Sequence, residues 1–486
     1  MRTSEDKVRS ESGGIISFYS GVAKLDGLES VALHELLLDA SGKPAAIVIG
    51  FDAKGVEALF FDVQFPLEGR VFRSGHPFSI NLSASYVGRI VDGLGRALDG
   101  LGSVPGEATS VFNQAPPIVA REPVTEPLST GIKIIDTNLP LGRGQRELLI
   151  GDRKLGKSTL AADIVLNQKK AQPPVICIYV VCGQKEQFLE ELISLFRDQA
   201  AFLYTVVVAA TAGSSLAEQY LAPFVGCSIG EYFRDRGQHA LVIYDDLSKH
   251  AKAYRDISLL LERAPGREAY PGDVFSLHAT LLERAAKLAK QHGGGSLAAL
   301  PIIETQEGDI TSFIPTNLIS ITDGQVYLER GLYQKGFIPA VNVGLSVSRV
   351  GGQAQPAALR DVVGGMRLAL SLYKELQKLS QLETKISLEA RNKIERGDLM
   401  LELLKQDKHT KVSWQEQVVL FYAVEKGYFD GLERDGWKDF ERMLLELVRN
   451  RYPHLLEQIA TVGLDDVTKK QIAKVIDDFK QEFVAS

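Results

Sequence analysis

Gly151-Asp152-Arg153-Lys154-Leu155-Gly156-Lys157-Ser158 is the stretch on which the fold turns. Just before it, Arg146-Glu147-Leu148-Leu149-Ile150 ends in a short apolar run that reads as a buried strand. After it, residues 159–170 carry Leu160, Ile164, Val165 and Leu166 at the spacing of a helix. A strand, a glycine loop and a helix in that order make the spacing G-x-x-x-x-G-K-[ST] a phosphate-binding site. Glycine lets the backbone wrap close to an anion where a side chain would block it. Successive N–H groups then point inward, and the helix N-terminus adds its positive end. In that geometry Lys157 reaches the β- and γ-phosphates and the Ser158 hydroxyl sits on Mg²⁺. The whole of 151–158 is therefore expected to cradle a nucleotide.

Outward from the loop, apolar runs at 175–181, 205–210, 240–244, 296–303 and 317–321 read as strands, and amphipathic stretches at 186–196 and 216–234 as helices. This alternation predicts a multidomain α/β protein whose central region, 76–355, is a mostly parallel sheet with helices on both faces. The loop-bearing strand lies inside that sheet, and the nucleotide at the strands' C-terminal edge. Residues 1–75 differ. Short runs at 15–18, 31–33, 36–38, 45–50 and 58–61 are separated by the turns Asp26-Gly27, Ser41-Gly42-Lys43-Pro44 and Lys54-Gly55, which predicts a small β-barrel. Arg and Lys are sparse there and few aromatics interleave with them, so a structural collar is favoured over a single-strand nucleic-acid binder. From 356 to 486 the β-branched runs vanish. Leu368, Leu372, Leu376 and Leu379, then Trp437, Phe440, Leu444 and Leu447, then Ile472, Val475, Ile476 and Phe479 recur at helical spacing and are expected to form the core of a helical bundle.

The totals are those of a folded protein: 486 residues, 45% hydrophobic and 24% charged, room for about three domains at roughly 150 residues each. A net charge of −6 speaks against a dedicated nucleic-acid binder. Three cysteines make no disulfide framework and fit a reducing interior, and eight scattered histidines show no pair at zinc-ligand spacing. No apolar run is long enough to span a bilayer, so any membrane role must come through other subunits.

Two further positions carry chemistry. The run Ala240-Leu241-Val242-Ile243-Tyr244 ends in Asp245-Asp246. A carboxylate at the end of a strand neighbouring the loop-bearing one is what nucleotide-bound Mg²⁺ asks for, directly or through water. Asp245, first past the apolar run, is the better candidate, and Asp246 is placed to cap the next segment. A hydrolysing site also needs a group that holds the attacking water. That group is expected to project from the strand beside the phosphate loop, read as 175–181, which leads into Cys182-Gly183-Gln184-Lys185-Glu186, where Gln184 is the first place to look. An amide cannot accept a proton as a carboxylate does, yet some GTPases orient water with a glutamine, and Glu186 lies two residues on. The residues alone leave both open.

The phosphate loop and Tyr244-Asp245-Asp246-Leu247-Ser248-Lys249 are joined by Tyr270-Pro271-Gly272-Asp273-Val274-Phe275 and Leu281-Leu282-Glu283-Arg284-Ala285-Ala286-Lys287. GGGSLAALPIIET at 293–305, SFIPTNLISITDG at 312–324 and VGLSVSRVGG at 343–352 follow. Together these closely resemble the α subunit of the rotary F-type ATP synthase over nearly the whole sequence. The resemblance implies an α3β3 ring around a central γ shaft, attached to a membrane Fo sector on the cytoplasmic face of a bacterial or archaeal membrane. It implies coupling of ATP synthesis or hydrolysis to ion transport. It also implies that this subunit binds ATP or ADP with Mg²⁺ without turning it over, since Gln184 matches the position where α subunits carry Gln and catalytic β subunits a Glu. Arg349, in Ser346-Val347-Ser348-Arg349-Val350, matches the arginine that α lends to the neighbouring β site. A rigid, always-charged fork suits charge spread over phosphoryl oxygens.

Two departures stand out. The family's amphipathic leader, which meets the peripheral-stalk subunit δ, is absent or abbreviated before Gly14, which leaves the usual δ contact open. Where most α subunits have Gln-Phe-Gly-Ser-Asp-Leu-Asp, this sequence has Gln381-Leu382-Glu383-Thr384-Lys385-Ile386-Ser387, so contacts with γ are expected to differ electrostatically. Both resemble a divergent branch such as the alternative N-type enzymes. The rival readings are a homohexameric motor akin to the Rho helicase, against which the thin basic character of the collar speaks, and a catalytic β-like subunit with Glu186 as base.

Overall fold

A computed structural model describes residues 11–53, 55–380 and 387–485. Lys54, the region of the leader before Glu11, and residues 381–386 of the substituted turn, Lys385 among them, lie outside the described residues. The protein divides into two compact units. One is built from residues up to 123 with 144–150 and 172–323; the other from 124–143, 151–171 and everything from 324 on.

The first unit opens with a closed barrel of β1 (Ser12–Tyr19), β2 (Val22–Leu25), β3 (Glu35–Leu38), β4 (Pro44–Asp52), β5 (Gly55–Phe60) and β6 (Arg70–Pro77), in the order β1-β2-β5-β4-β3-β6. Leu25, Leu37, Val48, Phe60 and Val71 fill its interior. Closure removes the edges that an open sheet would expose. Two of these strands escape a search for apolar runs. β2 is interrupted by Lys24, buried and paired with Asp52 at 3.0 Å. β6 is mostly polar and is tied down by Arg73, whose Nε and Nη2 each donate to the Glu35 carboxylate at 3.0 Å. Conversely, the run 31–33 is not a strand. The Ala32 N–H donates to the Glu35 carboxylate at 3.0 Å, and His34 takes a left-handed φ of 65°, so the backbone turns where a ladder was expected.

Beyond the barrel, β7 (Ser79–Leu82) pairs antiparallel with β9 (Glu107–Ser110). β8 (Ile90–Asp92), β12 (Thr205–Ala210), β11 (Val175–Cys182), β13 (His239–Asp245) and β15 (Ser296–Thr305) then lie side by side in that order, all parallel. The short β14 (Ala286–Lys287) runs antiparallel to β15. The approach to β10 (Leu148–Asp152) runs parallel to β15, with the Glu147 N–H donating to the Ala299 carbonyl at 3.0 Å. The helix Leu216–Arg234 begins in a capping box of Ser215 and Glu218. It packs tightly on the sheet because Gly226 and Gly230 carry no side chain: a Cβ would meet Val180 at 2.2 Å in the first case and Leu297 at 2.6 Å in the second.

The run 317–321, expected as a strand, is the end of the helix Phe313–Ile321. A short apolar run does not by itself distinguish the two. Here Pro315 falls in the first turn, where its missing N–H costs nothing, and Ile314 and Leu318, four apart, supply the buried face.

The second unit holds the antiparallel pair β16 (Gly324–Leu328) and β17 (Val347–Ser348), the helix Lys157–Asn167 and a C-terminal set of helices from Ala357 to Ala485. Trp437, Phe440, Leu444, Ile472, Val475, Ile476 and Phe479 are buried as their spacing predicts. Of the four leucines expected in the core from Met366–Ser380, Leu368 is 67% and Leu372 45% exposed, Leu376 is half-buried, and the Leu379 side chain lies outside the described residues. That helix buries Met366, Leu370 and Tyr373 instead. Both stripes recur at helical spacing, and periodicity cannot say which of two apolar stripes turns inward.

Candidate functional site

All five residues of β10 are buried, and the backbone leaves it through Arg153 and Lys154, both exposed, into the helix Lys157–Asn167. Lys154 and Gly156 are both left-handed, at φ 65° and 91°, and Gly156 is the residue from which the helix starts. Gly151 is needed for a different reason: a Cβ there would lie 2.5 Å from the Leu328 carbonyl of β16. Leu155 is buried beneath the turn. Lys157 is buried too, and its Nζ donates to the carbonyls of Gly151 and Asp152, each at 2.7 Å. The ammonium is thus folded over the loop it belongs to, while Ser158 is half-buried one residue into the helix. The first N–H groups of a helix have no partner within it, so this end presents donors to an anion.

Asp152 has a role that its place in the loop did not reveal. Its carboxylate is buried and pairs at 3.0 Å with Arg330, in the helix that follows β16. At the other end of the loop helix, Asp163 accepts from the His409 backbone N–H at 3.1 Å and from the His409 ring at 2.7 Å, so the segment before Trp414–Glu425 anchors that helix. No spacing in the sequence marks Arg330 or His409, which lie far along it from their partners.

In the first unit, β11 and β13 run parallel with Val181 opposite Asp245. Tyr179 lies opposite Ile243, two residues back and so on the same face as Asp245. Its hydroxyl donates to Asp245 Oδ2 at 2.8 Å. Burial, with Asp245 beside it, pushes the phenol far above its ordinary range, so it remains a donor. Gly183, left-handed at φ 61°, then turns the backbone so that Gln184 Nε2 donates to Asp245 Oδ1 at 2.5 Å. The other end of the same amide, Oε1, accepts from Lys249 Nζ. Asp245 is fully buried. Asp246 caps the helix Leu247–Leu260, its side chain accepting from the Lys249 N–H at 2.8 Å. Burial pushes its pKa up to about 6, against the pull of Lys249. Tyr179 and Lys249 were not singled out by sequence. The strand register is the signal for the first; nothing short of the fold gives the second.

Glu186 stands exposed in the first turn of the helix Glu186–Asp198 and makes no hydrogen bond to any described residue. Arg349, in the second unit, follows β17 directly and is exposed, with no hydrogen bond or ion pair to any described residue. Its surroundings are braced: Ser348 Oγ donates to the Pro140 carbonyl at 3.0 Å, and Arg367 Nη2 to the Ser346 carbonyl at 2.9 Å.

Comparison with known proteins decides the family. The protein is 47% identical over 485 residues to the ATP synthase subunit alpha of Aquifex aeolicus, spanning 99% of its own length and 96% of that relative's. It belongs to the ATP synthase α-subunit family. It is likewise 45% identical to the ATP synthase subunit alpha of Ehrlichia chaffeensis, covering 98% of its own length and 96% of the other. With the subunit of Helicobacter pylori strain HPAG1 it shares 46% identity, over 97% and 94% of the two sequences. Residues 131–348 match the profile of the nucleotide-binding domain of the ATP synthase alpha/beta family, and residues 355–479 that of the family's C-terminal domain. The phosphate loop, Gln184 and Asp245 all fall within the first match, and Arg349 follows it directly. Among the described residues no helix of this α-family member is long and apolar enough to cross a membrane.

Proposed function

We propose that this protein is the ATP·Mg-binding, non-catalytic α subunit of a rotary F1Fo ATP synthase, and that it supplies Arg349 to the catalytic site of an adjacent β subunit. Residues 151–158 hold the phosphates, Lys157 neutralising the β- and γ-groups. Mg²⁺ is a hard cation that takes oxygen ligands and keeps several waters, and the family resemblance would give it the Ser158 hydroxyl and the Asp245 carboxylate, the latter directly or through water. When bound, the ion would draw charge off the phosphate oxygens.

The observation that carries the non-catalytic reading is Gln184. Its amide nitrogen is spent on Asp245 and its oxygen accepts from Lys249, so it offers no basic group to water. Glu186, the alternative base, is exposed and makes no hydrogen bond among the described residues. Support for the finger is the exposed Arg349 guanidinium on a braced turn, where an ordinary salt bridge would have consumed it. Partners are then β subunits in an α3β3 ring and a γ shaft, with the membrane reached through the Fo sector on the cytoplasmic face; nucleic acid is not a partner. The purified protein should retain ATP and Mg²⁺ yet show no turnover alone. Brisk hydrolysis without a β partner would overturn this reading, and loss of that hydrolysis on Glu186→Gln would assign a β-like role instead.

A further inference from the structure

A glutamine amide has nearly the same shape either way round, so its direction is set by its partners. Gln184 has two that agree. Lys249 Nζ is donor-only and demands Oε1; the Asp245 carboxylate is acceptor-only and demands Nε2. Reversal would set NH₂ against an ammonium and oxygen against a carboxylate. The ammonium is brought there by local construction. Lys249 is the third residue of the helix Leu247–Leu260, and its backbone is fixed by the Asp246 cap. Its Nζ also lies 3.4 Å from the Asp246 carboxylate, and its side chain is 18% exposed. The stem passes under the turn that follows β11, where a Cβ on Gly183 would sit 2.8 Å from Lys249 Cβ and 3.3 Å from its Cδ. A bare residue at 183 therefore both turns the backbone and leaves the passage through which Lys249 reaches Gln184.

We propose that Lys249 is a positioning residue: it fixes the direction of the Gln184 amide and, through it, the aim of the Asp245 carboxylate at nucleotide-bound Mg²⁺. This rests on the ATP·Mg reading above. Lys249 acts by holding one amide, not by contact with nucleotide or metal. Without it Gln184 is free to rotate off Asp245, and a carboxylate that has lost the Gln184 donor is aimed less sharply.

The test is ATP binding to the full-length protein, measured with Mg²⁺ and with EDTA, and the ratio of the two affinities. Lys249→Met should lower that ratio about tenfold, the scale of one charge-assisted hydrogen bond, and leave the Mg²⁺-free affinity little changed. Lys249→Arg keeps a donor-only cation of similar reach and should retain most of the ratio. Gln184→Met should lower it by the same factor as Lys249→Met, and adding Lys249→Met to Gln184→Met should change it no further. An unchanged ratio in Lys249→Met, an equal loss in both affinities, or a full additional loss in the double variant would each overturn the proposal. A crystal structure of Lys249→Met separates this from the function itself. The Gln184 amide should have left Asp245; if it remains there, the proposal fails whether or not the wild-type protein binds ATP.

Discussion

The phosphate loop and the Asp245 cluster are built on opposite principles. The loop works with backbone: left-handed positions at Lys154 and Gly156, a glycine at 151 pressed against the Leu328 carbonyl, and a helix end. The cluster works with side chains locked to one another, Tyr179 and Gln184 on Asp245 and Lys249 on Gln184. A backbone site needs a few residue types at fixed offsets, so a short contiguous motif can specify it. A side-chain site needs partners from several strands and helices, so it is specified only by the fold. Arg349 is a third kind, a group left without a hydrogen-bond or ion-pair partner among the described residues.

These differences can be broken in order of expected effect. Arg349→Ala should leave nucleotide binding to the isolated subunit nearly intact while hydrolysis by the assembled ring falls about 10³-fold or more, the scale of an arginine finger. An unchanged rate in the ring would remove Arg349 from the chemistry. Lys157→Ala should weaken ATP binding by the isolated subunit about 10²-fold, as expected for lost charge-assisted contacts to phosphate. Calorimetric titration would read it, and an unaltered affinity would mean that the lysine stays folded on the Gly151 and Asp152 carbonyls when ATP is bound. Tyr179→Phe, in the side-chain site, leaves a fully buried carboxylate oxygen short of a donor. It should cost about 1–3 kcal/mol of stability in urea unfolding, and a neutral result would mean that Asp245 is held without it.

Outside that order stands the effect of pH on two buried histidines of the same unit as Asp245. His250 and His278 are fully buried and touch, Nδ1 to Nε2, at 3.1 Å, and burial lowers the pKa of His250 from 6.5 to about 4. The unfolded state therefore takes up protons between pH 6.5 and 4 that the folded one refuses, and stability present above 6.5 is lost as pH falls through that window. His278 acts in the same direction. Asp246 acts in the opposite one: its folded pKa near 6 makes its contribution present below about 4 and lost as pH rises through 6. Two rings outweigh one carboxyl, so acid should destabilise. His250→Asn should flatten the loss by on the order of 3 kcal/mol across the window, followed by unfolding midpoints at about pH 7 and pH 4.5.

By itself the sequence determined the barrel, the mostly parallel sheet, the helical C-terminal region and the strand, turn and helix around 151–158, because alternation, helical period and a glycine motif are all local. It also put Gln184 just after one strand and Asp245 at the end of another, but took both strands for neighbours of the loop-bearing one, whereas β15 lies between β10 and β13, with β11 beyond. Where a segment's state depends on what packs against it, sequence misled. The run 31–33 became a turn because Glu35 claims its backbone, the run 317–321 became a helix, and Leu368 and Leu372 lie on the outer of two apolar stripes. Tertiary structure alone decided that Asp152 belongs to Arg330, that Lys249 grips Gln184 and that no described residue claims Arg349. Each is a contact, or the want of one, between residues that only folding brings within reach.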